Sequence, residues 1–477
     1  MTLFERILTA RGLTTRAARQ AFLQPDYMAV KHDPFLLPDM KKAVARLKQA
    51  RQQGEKIVIY GDYDIDGLSA TALLLDAFGK FGFEDVDAFI PNRFVEGYGM
   101  TMGAVDKVRD MGADLIVTVD TGSLCHAEIA YAASLGIDTV VTDHHNVAET
   151  PPPSVAAVNP KFPGHTYPFR DLCGAGVAFK LVQALQTELD GLPEGYEKWL
   201  LDLVALGTVC DIVTLADENR ANVYWGLEVL KKQQRPGLKA LMAVAGIEPE
   251  QVNARHLGFG LGPRMNAAGR LETAQHALDM LVARDGLAAL EASEKLEELN
   301  VKRRIIQDAI FEEACVQAEQ LADDRVMVVS SDGWNHGVIG IVASKLVEKY
   351  KKPVFIIGER GEEATGSARS FGDFSAADAV RAADDIIIKG GGHGAAAGVT
   401  LATEKIGDFR RRVNEFYDSL QLTNQERYLL PRADVEIDDF SEITEELIEN
   451  LAKMEPFGNS NPEPVLKITR ASVLSMR

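Results

Sequence analysis

The sequence predicts an α/β protein in which a parallel sheet is followed by a long helix and a second, smaller α/β block. Apolar runs at residues 57–60, 115–119 and 139–141 are typical of buried parallel strands, and helical stretches separate them. Residues 287–322 contain neither proline nor glycine, which favours a single helix of roughly 50 Å, at about 1.5 Å per residue. Strand-like and helical runs alternate again beyond that helix.

Composition indicates an ordinary globular protein of more than one domain. The chain has 477 residues, of which 46% are hydrophobic and 25% charged. No apolar run is long enough to span a bilayer, and the charged residues 1–11 do not resemble a secretory signal. The four cysteines form no Cys-x-x-Cys pair, so we expect reduced thiols and a cytoplasmic location.

The order of elements follows from the spacing of apolar residues and from chain breakers. Residues 1–50 are expected to be mostly helical, with one helix that begins at Asp39. We expect further helices at residues 69–78, 103–111, 127–135, 174–189, 199–209 and 337–350, and further strands at residues 325–329, 353–357 and 465–468. The alternative for the long helix is two helices joined by a turn. The C-terminal piece is expected to be too short for a core of its own.

Acidic residues directly follow three predicted strands. They are Asp62, Asp64 and Asp66 after the first strand, Asp120 after the second and Asp143 after the third. The carboxyl ends of parallel strands meet at one edge of a sheet, where open α/β folds bind ligands. Clustered carboxylates with one or two imidazoles suit Mn²⁺ or Mg²⁺, and a pair of such ions is a standard device for cleaving phosphodiesters. We therefore predict a divalent-metal site at this edge.

The pattern assigns the first ligands only in part. Asp64 and Asp66 lie two residues apart, so in an extended segment both carboxylates face the same way. Asp62 is either a ligand or an acceptor behind the ligands. Asp120 ends the strand nearest the middle of the block, where one carboxylate can bridge two ions.

The run Asp143-His144-His145 is the most specific of the three motifs. Adjacent histidines on an irregular segment cannot both face one metal from one side. We expect His144 on a metal, and His145 near the phosphate or behind the ligands. Asp143 then orients an imidazole or assists proton transfer. Asp211 lies in an apolar run, where an acid is costly unless paired or metal-bound, and we expect it to complete the ligand set.

Groups able to bind phosphate must be sought locally, because the formal net charge of −19 alone argues against a nucleic-acid binder. That argument is weak where bound cations reverse the field of acidic ligands. Guanidinium forks and hydroxyls suit phosphate oxygens, and glycines allow backbone amides to approach them. The candidates from this reasoning are Arg93, Arg264, Arg270, Ser367, Arg369, Gly390, Gly391, Gly392 and His393.

Taken together, these residues resemble the DHH phosphoesterase superfamily, named for Asp143-His144-His145, and within it the RecJ family of single-strand DNA exonucleases. The resemblance covers nearly the whole chain. Its motifs are Arg11-Gly12-Leu13, residues 33–40, residues 60–67, Glu96-Gly97-Tyr98-Gly99, residues 264–270, Gly390-Gly391-Gly392-His393 and Pro456-Phe457-Gly458-Asn459. The chain departs from the family at Thr121 and at residues 123–126, although Asp120 and Gly122 remain.

The resemblance implies a metal-dependent nuclease. It implies two Mn²⁺ or Mg²⁺ ions held by Asp64, Asp66, Asp120, His144 and Asp211. We also expect Asp62 among the metal-binding residues and His145 among the catalytic ones. It also implies that Arg93, Arg264, Ser367 and Arg369 grip DNA phosphates near the 5′ end. We expect the substrate-binding set to include Asn266, Arg270, Gly391, Gly392 and His393 as well. The implied activity is processive 5′-to-3′ degradation of single-stranded DNA in repair and recombination. Single-strand-binding protein and a helicase are the implied protein partners, and we expect a monomer that does not contact membranes.

The same resemblance implies five segments. They are an N-terminal helical extension (1–50), a DHH catalytic domain (51–235), a helical connector with the long bridging helix (236–322), a DHH-associated substrate-binding domain (323–422) and an incomplete oligonucleotide-binding (OB) fold (423–477).

Two other functions are compatible with this pattern. A DHH phosphodiesterase acting on short oligonucleotides or cyclic dinucleotides needs the same metals, but the N-terminal region and the long helix disfavour it. A non-catalytic DHH scaffold at the replication fork is disfavoured because such relatives lose metal-binding acids that this chain keeps. Inorganic pyrophosphatase is remote, because the first motif begins with Asp62-Tyr63-Asp64 rather than with a histidine.

Overall fold

The computed structural model describes residues 1–97, 99–430 and 432–469, which form two units. The first unit comprises Met1–Leu299 and the chain from Ala433 onward, and the second comprises Asn300–Arg432. Each unit contains a five-stranded sheet. Within the described ranges, no helix combines the length and the apolar character needed to cross a membrane.

The N-terminal region is helical, as predicted. Its helices are α1 (Leu3–Ala10), α2 (Arg16–Leu23), α3 (Tyr27–Val30) and α4 (Met40–Gln53). Side-chain caps from Thr2, Thr15 and Asp26 start the first three by accepting hydrogen bonds from backbone amides of the first turn.

The sheet of the first unit is entirely parallel, with strand order β2-β1-β3-β4-β5. Its strands are β1 (Ile57–Gly61), β2 (Val86–Phe89), β3 (Leu115–Val119), β4 (Asp138–Thr142) and β5 (Ala156–Val158). The connecting helices are α5 (Ile65–Phe81), α6 (Met102–Asp110) and α7 (His126–Ser134). The predicted alternation of strands and helices is confirmed, and β3 is the middle strand.

Both faces of this sheet are covered, which explains its continuous apolar runs. Ile57 and Ile59 of β1 point into one hydrophobic cluster, whereas Val58 and Tyr60 point into another on the opposite face. All four residues are fully buried. A strand that is buried on both faces needs apolar residues at every position rather than at alternate ones.

Further helices complete the first unit. They are α8 (Gly174–Leu185), α9 (Leu201–Cys210), α10 (Asp217–Lys231), α11 (Pro236–Val244), α12 (Gly262–Leu271) and α13 (Gln275–Val282). The helix α14 (Gly286–Gln320) then runs without a break for 35 residues. The prediction of one long helix is confirmed and the two-helix alternative is wrong. Its first part belongs to the first unit and its remainder to the second.

The second unit is built on a mixed sheet with strand order β6-β7-β8-β10-β9. Its strands are β6 (Met327–Asp332), β7 (Val354–Arg360), β8 (Glu363–Arg369), β9 (Ile387–His393) and β10 (Ala396–Ala402). Its helices are α15 (His336–Tyr350), α16 (Ala376–Arg381) and α17 (Ile406–Ser419). Only β6 and β7 pair in parallel within this sheet. The predicted elements of this block are confirmed.

The described part of the C-terminal segment, residues 432–469, packs on the N-terminal helix α1. It contains β11 (Val435–Ile437), α18 (Glu445–Ala452) and β12 (Leu466–Ile468). Ile437, Leu447 and Met454 share one hydrophobic cluster with Leu3, Ile7 and Leu8 of α1.

A buried ion pair between α8 and α10 holds the loop that follows α3. Lys180 of α8 pairs with Glu218 of α10, and these side chains are only 1% and 3% exposed. Lys180 also donates to the backbone oxygen of His32 at 2.9 Å. The hydroxyl of Tyr167 and the amide of His32 donate to Glu218.

We expect Lys180→Met to lower the free energy of unfolding by about 3–5 kcal/mol, because it leaves the Glu218 carboxylate buried without its counter-charge. Urea denaturation at neutral pH measures the change. Lys48→Met is the matched control, since Lys48 and Glu188 form an exposed pair at 3.4 Å, and we expect it to change stability by less than about 1 kcal/mol. Equal losses of stability in the two variants would show that the buried Lys180–Glu218 pair matters no more than the exposed Lys48–Glu188 pair.

Candidate metal centre

Three carboxylates stand where three neighbouring strands end. Asp62 follows β1, Asp120 follows β3 and Asp143 follows β4, and none is more than 3% exposed. Asp120 adopts a left-handed φ of 61°, a conformation that is uncommon outside glycine. Its backbone amide donates to the Thr142 oxygen at 3.0 Å, which ties the end of β3 to β4.

Asp64 caps α5, so part of its carboxylate is used for local structure. Its Oδ1 accepts hydrogen bonds from the amides of Asp66 and Gly67 at 2.9 and 3.1 Å. The helix begins at Ile65, and Asp66 therefore lies in its first turn. The expectation that Asp64 and Asp66 share an extended segment is wrong, because capping of the free amides favours a helix immediately after Asp64.

The N-terminus of α8 holds the Asp66 carboxylate. The amides of Gly174 and Ala175 donate to its two oxygens at 2.5 and 2.8 Å. Glycines make this approach possible: a Cβ on Gly207 would lie 2.4 Å from Asp66 Oδ1, and one on Gly174 would lie 2.6 Å from the Asp120 Cβ. These supports were not predicted from the sequence. The small residues that open the apolar helix α8 were the available signal.

Asp143 orders the two histidines that follow it. Its Oδ1 accepts from the amides of His144 and His145 at 2.7 and 3.1 Å and lies 2.8 Å from His145 Nδ1. Its Oδ2 accepts from the Ser123 amide at 2.9 Å. Asp143 is thus an orienting group rather than a member of the metal-ligand clusters.

His144 points into the centre of the acidic cluster. Its Nε2 lies 3.0 Å from Asp120 Oδ1, 3.6 Å from Asp211 Oδ2 and 3.8 Å from Asp66 Oδ2. Asp211 reaches this position from the end of α9, where it is the C-cap residue. The chain then turns sharply, because Ile212 has a left-handed φ of 59°. A β-branched residue in that region costs about 1–3 kcal/mol and persists only where the surrounding structure holds it.

The ligand atoms form three overlapping groups, each contained within 4.8 Å. These groups are Asp62 with Asp64 and Asp120, Asp66 with His144 and Asp211, and Asp120 with His144 and His145. Asp120 and His144 each belong to two groups, so the seven residues make one continuous cluster. Both histidines have a nitrogen near Asp120, but the one from His145 is Nδ1, which lies 3.8 Å from Asp120 Oδ1 and 2.8 Å from Asp143 Oδ1. The division between His144 on a metal and His145 beside it stays a prediction.

Three buried atoms in the cluster have no hydrogen-bond partner among the described residues. They are Asp62 Oδ1, Asp120 Oδ1 and His144 Nε2; the last two lie 3.0 Å apart but do not form a hydrogen bond with each other. Such atoms are costly to bury unless something binds them. Carboxylate oxygens with one or two imidazoles are the donor set that Mn²⁺ or Mg²⁺ accepts, so the residues present fit the expected metals.

The electrostatics of the cluster also favour a cation. Burial and the charge of Asp64 raise the pKa of Asp62 to about 8 and that of Asp66 to about 6. Burial and the charges of Asp66 and Asp64 raise the pKa of Asp211 to about 8, and the pKa of Asp120 is raised for the same reasons. A divalent cation would relieve this repulsion.

The two imidazoles differ in charge. Burial and the charge of His145 lower the pKa of His144 to about 3, which keeps this ring neutral, as a metal ligand must be. Burial opposes protonation of His145, but the hydrogen bond and charge of Asp143 outweigh it and raise the pKa of His145 to about 9. His145 therefore presents a positive charge beside the acids.

Four predicted substrate-binding residues belong to the first unit. The Arg93 guanidinium lies 4.3 Å from the centre of the Tyr63 ring, and its buried Nε has no hydrogen-bond partner within the described ranges. Arg264 is tied to Glu297 at 2.5 Å and to the Gly260 oxygen at 2.8 Å. Asn266 and Arg270 lie on the same helix, α12.

The remaining predicted substrate-binding residues belong to the second unit. Ser367 and Arg369 share one face of β8, and Arg369 Nη1 donates to Ser367 Oγ at 3.1 Å. Gly391, Gly392 and His393 form the end of β9, where all three are exposed. The glycines thus belong to a strand at the edge of the sheet rather than to a loop.

Comparison with known proteins identifies the family. Residues 56–208 match the DHH family, N-terminal domain, residues 323–419 match the DHHA1 domain, and residues 433–477 match the RecJ OB domain. The chain is 37% identical to the single-stranded-DNA-specific exonuclease RecJ of Dickeya dadantii, in a match that covers 91% of this chain and 78% of that protein. The chain belongs to the RecJ family. The resemblance inferred from the motifs is therefore confirmed.

Another RecJ relative is considerably longer than this chain. RecJ of Bacillus subtilis is 40% identical over 475 residues, which are 99% of this chain and 59% of that protein. The chain thus spans about three fifths of the length of that relative.

Solved RecJ structures share the fold and contain the expected metals. The crystal structure of RecJ from Thermus thermophilus in complex with Mn²⁺ superposes with a TM-score of 0.81 at 32% identity, covering 96% of this chain and 64% of that one. An exonuclease RecJ bound to manganese gives a TM-score of 0.72 at 34% identity and covers 82% of this chain and 97% of that one. The Thermus protein has also been crystallised with Mg²⁺.

Proposed function

We propose that this chain is a metal-dependent exonuclease that hydrolyses single-stranded DNA from the 5′ end. The observation that carries the proposal is the continuous cluster of five aspartates and two histidines, in which three buried ligand atoms lack a partner among the described residues. The names of the RecJ relatives supply the substrate. The polarity, the repair and recombination setting and the protein partners rest on the family resemblance.

The residues of the cluster divide the work of phosphodiester hydrolysis. When bound, Mn²⁺ or Mg²⁺ supplies a water of lowered pKa and neutralises the scissile phosphate. Asp62, Asp64, Asp66, Asp120, His144 and Asp211 would hold the ions. Asp143 fixes the ring of His145 through Nδ1, which leaves the other ring nitrogen of this imidazole to donate a hydrogen bond to a phosphate oxygen.

The other two functions are less well supported. A non-catalytic scaffold has no need of buried carboxylates that raise one another's pKa, since such a cluster lowers stability without a cation. A phosphodiesterase specific for dinucleotides needs the same metal site, so only the substrate preference distinguishes it.

Single strands labelled separately at each end test the proposal. With Mn²⁺, we expect stepwise loss from a free 5′ end, no cleavage of a strand whose 5′ end is blocked, and no cleavage in EDTA. Duplex DNA of the same sequence is the control for strand choice. Turnover of dinucleotides without cleavage of long strands would instead support the small-substrate enzyme, and binding without cleavage would support the scaffold.

Arg93 is the substrate-binding candidate in the first unit that the structure supports most directly. We expect Arg93→Ala to raise KM for single-stranded DNA about tenfold, which corresponds to about 1.4 kcal/mol. The slope of log affinity against log salt concentration should fall by about one, as expected for the loss of one phosphate contact. Affinity for Mn²⁺ should be unchanged. Arg109→Ala is the control, because Arg109 is exposed and pairs with Asp106 and Asp110. An unchanged KM would remove Arg93 from the substrate site.

A further inference from the structure

The motif Pro456-Phe457-Gly458-Asn459 lies far along the chain from the metal centre, yet it contacts the loop that follows a proposed ligand. Asp211 ends α9, and the next regular element, α10, starts at Asp217. The intervening loop begins at Ile212, directly after this carboxylate.

Asn459 binds this loop at two points. Its side-chain Nδ2 donates to the backbone oxygen of Ile212 at 2.7 Å. Its own backbone oxygen accepts from the Leu215 amide at 2.9 Å. The approach is close, since a Cβ on Gly458 would lie 2.7 Å from Leu215 Cδ1. The two bonds bracket residues 212–215, including the strained Ile212.

The turn that carries Asn459 is itself held firmly. Gly458 and Asn461 exchange two backbone hydrogen bonds of 2.9 and 3.1 Å. The Asn461 side chain donates to the backbone oxygens of Met454 and Pro456 at 2.9 and 2.8 Å and accepts from Arg11 at 2.7 Å. Arg220 of α10 donates to the backbone oxygens of Met454, Glu455 and Pro456. The turn is thus anchored to α10 and to the N-terminal region.

We infer that Asn459 is a positioning residue for the metal centre: it holds Ile212 in its left-handed conformation and thereby fixes the Asp211 carboxylate beside His144. Groups that hydrogen-bond directly to a ligand typically change metal affinity about 10–100-fold when they are removed, and Asn459 acts through the residue next to the ligand, so we expect an effect at the lower end of that range. The inference rests on the proposed role of Asp211 as a ligand. It assigns to the C-terminal segment a function in metal binding that is separate from any contact of that segment with DNA.

Titration with Mn²⁺, followed by the electron paramagnetic resonance signal of the free ion, tests the inference on the full chain. We expect Asn459→Ala to weaken Mn²⁺ binding about tenfold, and exonuclease activity to return when Mn²⁺ is raised in proportion. Asn450→Ala is the matched control, because Asn450 lies in the same segment and its side chain makes an exposed local contact of 2.7 Å with Lys453. It should bind Mn²⁺ like the unmodified chain.

Two further variants separate the possible failures. Asn459→Asp keeps the size of the side chain but replaces the donor to Ile212, so it should reproduce the loss of affinity even if Asn459→Ala fails to fold. Thermal denaturation in EDTA establishes that each variant is folded at the temperature of the titration. Asp211→Ala tests the ligand itself.

The possible results distinguish an error in the role of Asn459 from an error in the proposed ligand set. If Asp211→Ala weakens Mn²⁺ binding while folded Asn459→Ala and Asn459→Asp bind it normally, Asn459 has no positioning role. If Asp211→Ala also binds Mn²⁺ normally, the proposed ligand set is wrong. Weaker binding in both Asn459 variants, with a normal Asn450→Ala, supports the inference.

Discussion

Asp120→Asn is expected to abolish cleavage of single-stranded DNA and, at the same time, to stabilise the metal-free protein. Asp120 belongs to two of the three ligand groups, so its loss affects the whole cluster. Metal ions contribute several kcal/mol to transition-state stabilisation, and a loss of about 4 kcal/mol corresponds to about a 10³-fold lower rate. Cleavage by Asp120→Asn at a rate within about tenfold of normal would exclude the proposed site.

The expected gain in stability has an electrostatic cause. Burial and the charges of Asp66, Asp64, Asp62 and Asp211 raise the pKa of Asp120 in the folded state. A carboxyl whose folded pKa is raised destabilises the fold as the pH rises above its unfolded value, which is about 3.9 for aspartate. The neutral amide avoids that cost, so the variant should gain at least about 1 kcal/mol at pH 7 in EDTA, and the gain should shrink as the pH falls towards about 4.

Urea denaturation measures the stability of the unmodified chain and of Asp120→Asn, once in EDTA and once with Mn²⁺. Mn²⁺ should stabilise the unmodified chain, because only the folded site binds the ion. It should leave the stability of Asp120→Asn unchanged, because that variant lacks the carboxylate shared by two of the three ligand groups. Asp110→Asn is the control, since Asp110 is an exposed acid of α6 that pairs with Arg109. A less stable Asp120→Asn in EDTA would show that repulsion does not dominate the cluster.

Gly207→Ala should damage the centre without removing any ligand. The new Cβ would lie 2.4 Å from Asp66 Oδ1 and 2.9 Å from the Ala175 Cβ, so the Asp66 carboxylate, the first turn of α8 or both must move. A misplacement of about 1 Å at a catalytic group costs about 100-fold in rate, and overpacking of this kind costs about 1–3 kcal/mol of stability.

Steady-state kinetics and Mn²⁺ titration of folded Gly207→Ala check this expectation. Gly103→Ala is the matched control, because a Cβ there has no neighbour within 4 Å and the residue lies in α6. That variant should keep full activity. Normal turnover and normal Mn²⁺ affinity in Gly207→Ala would mean that Asp66 can shift freely and is not held by its glycine neighbours.

Much of the fold and the location of the site could be predicted because they depend on local patterns. Apolar runs followed by acids place Asp62, Asp120 and Asp143 at one sheet edge whatever the rest of the chain does. The structure also brings Asp211 to His144, as both the cost of a buried acid and the family resemblance had suggested. The residue types alone were sufficient to expect a hard divalent cation.

The predictions failed where geometry depends on contacts distant in sequence or on competition between local structures. Capping by Asp64 overrides the extended spacing assumed for Asp64 and Asp66. The support of Asp66 by the amides of α8 and by Gly207 joins three separate segments, so no single stretch reveals it. The hold of Asn459 on the loop after Asp211 is a contact of the same kind.

Because α1 packs against the C-terminal segment, the first unit can finish folding only after that segment has been synthesised. Contacts between these regions join residues 430 positions apart, as between Arg6 and Glu436. At about 5–20 residues per second, the apolar face of α1 must wait roughly 20–90 s on the ribosome for its partners. During that interval Leu3, Ile7 and Leu8 remain open to aggregation or to chaperones, and the second unit has been synthesised completely before the first can close.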